Sequence, residues 1–116
     1  MANLIVIRIS FLLLLLLNPI HSKAWIIKNG MSTARYMCGS YGTVELQVDM
    51  NKQIGGGDAA PIRPAVIIYN GQNYPAQWFV GGDNNSTQTN DGKFRLVFWH
   101  YISLTGPNGK EACHDE

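Results

Sequence analysis

Beyond residue 24 the chain alternates apolar and polar positions at period two, and helical spacing is nearly absent. Thr43 to Asp49 sets Val44, Leu46 and Val48 on one face of a strand. Ala65 to Tyr69 is a β-branched run, Asn70-Gly71 follows it directly, and Tyr74 to Val80 resumes an apolar pattern. Asn-Gly between two such runs predicts a tight hairpin, because a type I′ turn needs positive φ at both central residues. Pro75 lacks an N–H for a ladder, so it marks a strand start or an edge position. Phe94 to Tyr101 reads as one strand, with Phe94, Leu96, Phe98 and His100 on one face and Arg95, Val97, Trp99 and Tyr101 on the other. Thr105 to Lys110 is a turn, and Glu111 to His114 is a short last strand.

Two segments break this pattern. Gln53 to Pro64 carries Gly55-Gly56-Gly57, Pro61 and Pro64, and Gly81 to Gly92 is rich in Gly, Asn, Ser, Thr and Asp. Both read as long surface loops, and loops of this length in a small domain are often binding elements. Short strands at regular spacing imply an all-β fold, a sandwich or a small antiparallel barrel.

The first residues are of another kind. Leu4 to Leu17 is almost wholly apolar, Arg8 supplies an early positive charge, and Asn18-Pro19 breaks the run. Ser22-Lys23-Ala24 then sets small residues at the −3 and −1 positions of a cleavage site. This pattern predicts a signal peptide over residues 1–24, with one domain over 25–116. A retained transmembrane helix is the rival, but it needs about 20 apolar residues. No cysteine lies near the cut to be acylated, so no stable membrane anchor is expected after cleavage. The expected location is periplasmic or secreted.

From Trp25 onward, seven Lys/Arg stand against eight Asp/Glu, well mixed. That balance offers no basic stripe for nucleic acid. Cys38 and Cys113 are the only cysteines. In an exported small protein, two cysteines are expected to pair, with two free buried thiols as the alternative.

Candidate chemistry is sparse. His100 and His114 are the histidines after the leader, and His114-Asp115-Glu116 lies at the C-terminus, where chains fray. A zinc site needs three or four convergent ligands. There is no Gly-x-Ser-x-Gly elbow, and Gly55-Gly56-Gly57 lacks the Gly-Lys-Ser/Thr ending of a phosphate loop. No catalytic residue, metal or cofactor is therefore expected, and the chain reads as a binding protein. Asn84-Asn85-Ser86 and Asn85-Ser86-Thr87 are glycosylation sequons. Trp25, Trp78, Trp99, Phe79, Phe98, Tyr69, Tyr74 and Tyr101 suffice for a core or a recognition face.

Taken together, certain of these segments resemble the periplasmic and membrane-bound inhibitors of c-type lysozyme. The resemblance runs from the aromatic-x-Cys of Tyr36-Met37-Cys38 through the alternating strand Val44 to Val48 and the hairpin Ala65 to Pro75 with Asn70-Gly71 and Tyr74. It continues through Gly81 to Ser86, Phe94 to Trp99, Leu104-Thr105-Gly106 and Cys113. It implies a β-barrel of about eight short strands whose terminal strands are fastened by Cys38 and Cys113. It also implies inhibition of c-type lysozyme by a loop inserted into the active-site cleft, here Gly81, Gly82, Asp83, Asn84, Asn85 and Ser86. The family's lysine, in a Trp-x-x-Lys-Gly-like stretch, has no counterpart: His100-Tyr101-Ile102 follows Trp99. The alternative is an envelope or secreted interaction protein with a different protein or glycan partner.

Overall fold

The computed structural model describes residues 25–81 and 84–116. The leader expected over residues 1–24, and Gly82 and Asp83 of the predicted loop, lie outside them. The strands in chain order are β1 (Ile26–Lys28), β2 (Met31–Met37), β3 (Thr43–Asp49), β4 (Gly55–Gly56), β5 (Pro61–Tyr69), β6 (Gln72–Val80), β7 (Asn85–Thr89), β8 (Arg95–Phe98), β9 (Ile102–Gly106) and β10 (Gly109–Asp115). A single 3₁₀ turn, Gly39–Tyr41, joins β2 to β3. Eight strands close an antiparallel barrel in the order β2-β10-β9-β8-β7-β6-β5-β3, with β3 returning to β2. β1 pairs with β2, and β4 pairs with β5, outside this ring. The structure thus shows the expected all-β barrel and its Cys38–Cys113 disulfide.

Period-two alternation becomes an inside and an outside. Directly opposed residues share a face, so Ala34, Leu46, Ile67 and Tyr74 form one course of side chains across β2, β3, β5 and β6. Trp78, Thr87, Leu96 and Leu104 form another across β6 to β9. Leu46, Ile67, Leu96 and Leu104 are fully buried. The Asn70-Gly71 hairpin is as expected, with φ of 52° and 73°. Pro75 sits one residue beyond the β6–β7 ladder, and its carbonyl accepts from the Asn90 N–H (2.8 Å). Its missing donor therefore faces the side where no strand asks for one.

The barrel has one weak seam. β2 pairs with β3 along its whole length, but it meets β10 only at Met37 opposite His114 and Tyr36 opposite Asp115. The disulfide lies beside these pairs. The Glu116 N–H donates to the Arg35 carbonyl (3.3 Å), and the Glu116 carboxylate pairs with Arg35 Nε (3.3 Å). The C-terminus is therefore tied into the seam, not frayed as expected.

Other expectations need correction. The strand from Phe94 stops at Phe98: Trp99-His100-Tyr101 is a turn into β9, a strand not anticipated. Pro61 to Pro64 belongs to β5, so the first long loop is shorter than its composition implied. Most consequentially, Asn85–Thr89 is a strand of the barrel wall, with Ser86, Thr87 and Thr89 buried. These residues look like a loop because no apolar side chain marks them. Threonine is nonetheless a strand former, and a small side chain is what fits opposite Trp78.

Candidate functional site

Successive connections alternate between the two ends of the barrel. One end carries the 3₁₀ turn and the β5–β6, β7–β8 and β9–β10 turns. There Phe94 packs edge-on against Tyr41, Tyr69 and Tyr74, at 6.3, 5.4 and 5.1 Å between ring centroids. The Tyr41 hydroxyl donates to the Gly109 carbonyl (2.7 Å) and accepts from the Asn108 N–H (3.0 Å). This tyrosine end is closed by its own side chains.

The other end is different. It carries the β1–β2, β3–β5, β6–β7 and β8–β9 connections. Every exposed large hydrophobic among the described residues lies there: Ile26, Ile27, Met31, Met50, Ile54, Trp99 and Tyr101. Scattered exposed apolar residues are ordinary, whereas their segregation to one pole makes that pole the candidate interaction surface. All three tryptophans are at this end. Trp25 stands edge-on to Trp78 (5.8 Å) and near Phe98 (6.3 Å), so it plugs the barrel mouth.

This tryptophan end has two sectors. In the first, Gly81 follows β6 and Asn84 precedes β7, and the Gly81 N–H donates to the Asn84 carbonyl (2.7 Å). A side chain at Gly81 would run into that same carbonyl oxygen. Beside it, the Trp99-His100-Tyr101 turn projects with Trp99 60% and Tyr101 57% exposed. The Trp99 and His100 rings lie 4.4 Å apart at 31°, and Lys110 Nζ lies 5.8 Å from the Tyr101 ring. In the second sector, Trp25, Ile27, Ser32, Val48, Met50 and Trp78 line a shallow apolar groove of about 270 Å³. The Met50 N–H donates to the Gly30 carbonyl (2.8 Å), and Arg63 Nη1 donates to the carbonyls of Met50 (2.9 Å) and Lys52 (3.0 Å). These bonds hold the β1–β2 and β3–β5 connections together.

Of the loop read from sequence, Gly81 and Asn84 are exposed at this end, and Asn85 opens β7. Ser86 is buried in the wall, opposite Phe79 and Val97. A serine reaching a partner from this segment is therefore not Ser86 in this conformation. The sequence reading did not single out Ile26, Ile27, Met31, Met50 and Ile54, because their exposure is settled only once the barrel closes.

The displaced titratable groups lie elsewhere. Burial, with the Asp115 charge adding, pushes the Tyr36 phenol up inside the barrel. The Lys93 backbone N–H and the Thr89 hydroxyl hold the Asp91 carboxylate down in the β7–β8 turn. Among the described residues, no three His, Cys, Asp or Glu side chains stand close enough together to hold a metal ion. Nor is any described helix long and apolar enough to cross a membrane. The Cys38–Cys113 bridge fits folding in an oxidising compartment. Comparison with protein-family models, with curated proteins and with solved structures returned no match.

Proposed function

We propose that this chain is an exported binding protein that acts, without chemistry of its own, through the tryptophan end of the barrel, and that its partner is a c-type lysozyme. One observation carries the reading. The β6–β7 and β8–β9 turns, which hold the positions that the resemblance implies, come out side by side at the exposed end. The barrel wall fixes the β8–β9 turn at both ends, and Gly81 and Asn84 are tied to each other by a backbone hydrogen bond, so these residues lose little order when they enter a cleft. Trp99 and Tyr101 supply the rigid aromatic area typical of interface anchors. The Asn84 amide and the His100 ring are polar groups for the acidic residues of a sugar-binding cleft, in place of the family's lysine.

The test is a cell-wall lysis assay with purified exported protein and a c-type lysozyme. Inhibition at micromolar protein is expected, and it should be lost in Trp99→Ala/Tyr101→Ala at an unchanged melting temperature. No inhibition with the disulfide intact would sink the lysozyme reading. The exposed Trp99-His100-Tyr101 turn, standing where the lysine would be, favours one second reading: a different envelope or secreted partner at the same turns. Immobilised protein that retains such a partner, and releases it on the same double substitution, would support that reading.

A further inference from the structure

β1 lies outside the ring of eight strands, and the proposed lysozyme contact makes no use of it. Asn29 and Gly30, with φ of 55° and 78°, turn it tightly into β2, with Lys28 opposite Met31. Such a turn is closed by the Met31 N–H donating to the Lys28 carbonyl. Hydrogen-bonded and non-hydrogen-bonded pairs alternate along an antiparallel ladder, so the N–H and carbonyl of Ile27 point away from β2. Among the described residues β1 pairs with β2 alone, and no other described backbone group bonds to Ile27. Ile26 and Ile27 are 65 and 69% exposed on this open edge. We propose that the edge pairs with β1 of a second copy of this chain, antiparallel and centred on Ile27, to form a two-fold dimer.

Three observations select that occupant. First, an open edge presents an N–H and a carbonyl side by side, and an extended polypeptide is what meets both at once. Second, the edge is only three residues long. A flexible peptide loses backbone entropy at every residue it orders there, for few bonds in return. A second copy brings its β1 already ordered. The Met50 N–H donates to the Gly30 carbonyl (2.8 Å) and Asn51 Nδ2 to the Asn29 carbonyl (3.3 Å), which holds the hairpin in place. Third, the edge is complementary to itself. With Ile27 facing Ile27 of the second copy, each N–H donates to the other's carbonyl. Ile27 also lines the apolar groove with Trp25 and Met50, so the two grooves join across the axis. Ile26 then meets Lys28 of the second copy, whose aliphatic stem covers it, and the two lysines are not face to face. The Trp25 ring lies 6.3 Å from that of Phe98, so β8 stands beside Trp25 and the pairing is centred farther along, at Ile27.

So short an edge buries less than the ~800 Å² per partner of a standard interface, and a dissociation constant of about 10–100 µM is expected. Sedimentation equilibrium of the exported protein from about 1 µM to 1 mM should show the dimer. Ile27→Lys sets two lysines opposite each other and should weaken it about tenfold or more at an unchanged melting temperature. Ile27→Pro removes the outward N–H and no bond to β2, so it should weaken the dimer as well. Ile27→Cys should cross-link to itself on mild oxidation, since Cα atoms opposed in a hydrogen-bonded pair stand about 5.5 Å apart, and Ile26→Cys should not. A monomer throughout this range would overturn the proposal. So would a dimer that Ile27→Lys and Ile27→Pro both retain, or a cross-link that forms at Ile26 and not at Ile27.

Discussion

Reducing the Cys38–Cys113 bridge is the most telling perturbation of this fold. The cysteines are 75 residues apart in sequence. Closing such a loop removes about 15 cal/mol/K of denatured-state entropy, or about 4.5 kcal/mol at room temperature. Small domains have only about 5–15 kcal/mol of net stability, so the reduced barrel should stand close to unfolding. The geometry says where it opens. β2 and β10 share only the Met37–His114 and Tyr36–Asp115 pairs, with the Arg35–Glu116 contacts beyond them. The β5–β6 hairpin, by contrast, is paired from Ile62 to Tyr69. Urea denaturation of oxidised and reduced protein is the assay, because reduction keeps both sulfur atoms in place. The expected result is a loss of about 4–5 kcal/mol and a fall of about 20 °C or more in melting temperature. Amide exchange in the reduced protein should open β10 and its edge of β2 first, while β5 and β6 stay protected. A loss under about 1 kcal/mol, or exchange that opens β5–β6 first, would refute the reasoning.

Three more substitutions probe the interior. Thr87 is fully buried and its hydroxyl has no hydrogen-bond partner among the described residues, so Thr87→Val should stabilise the protein by about 1 kcal/mol in urea denaturation. A Cβ at Gly106 would lie 2.8 Å from the Phe94 ring and 2.9 Å from the Tyr41 hydroxyl. Gly106→Ala should therefore cost about 1–3 kcal/mol in the same measurement, because three tyrosines hold that ring in place. Tyr36 has its phenol pKa raised by burial. Above the unfolded tyrosine value of about 10, the unfolded chain loses a proton that the barrel keeps, so stability falls as pH rises. Tyr36→Phe should flatten that alkaline slope in melting curves taken on either side of pH 10.

The strands that could be read in advance are those whose alternation is complete within a few residues. Val44, Leu46 and Val48 mark β3, and Asn70-Gly71 marks the β5–β6 hairpin, because a period-two face and a turn with positive φ are local requirements. β7 was hidden for the opposite reason. Asn85–Thr89 has no apolar member, and it is a strand because β6 and β8 pair with both its edges. Nothing in those residues announces their neighbours. The turn at Trp99 was hidden too, since an aromatic run reads as continued strand until β9 folds back on β8.

Local chemistry settles that this chain forms short strands, where its tightest hairpin lies, and that its two cysteines suit an oxidising compartment. Those features depend on residues close in sequence, or on a thiol pair that oxidising surroundings join. Tertiary closure decides the rest. It joins β2 to β10 across almost the whole domain, buries Ser86 from a segment that looked like a loop, and gathers Ile26, Met50, Ile54 and Trp99 at one pole. Exposure is a property of the closed barrel: an isoleucine becomes a core or a surface residue according to the strand that arrives opposite it, and that strand comes from elsewhere in the chain.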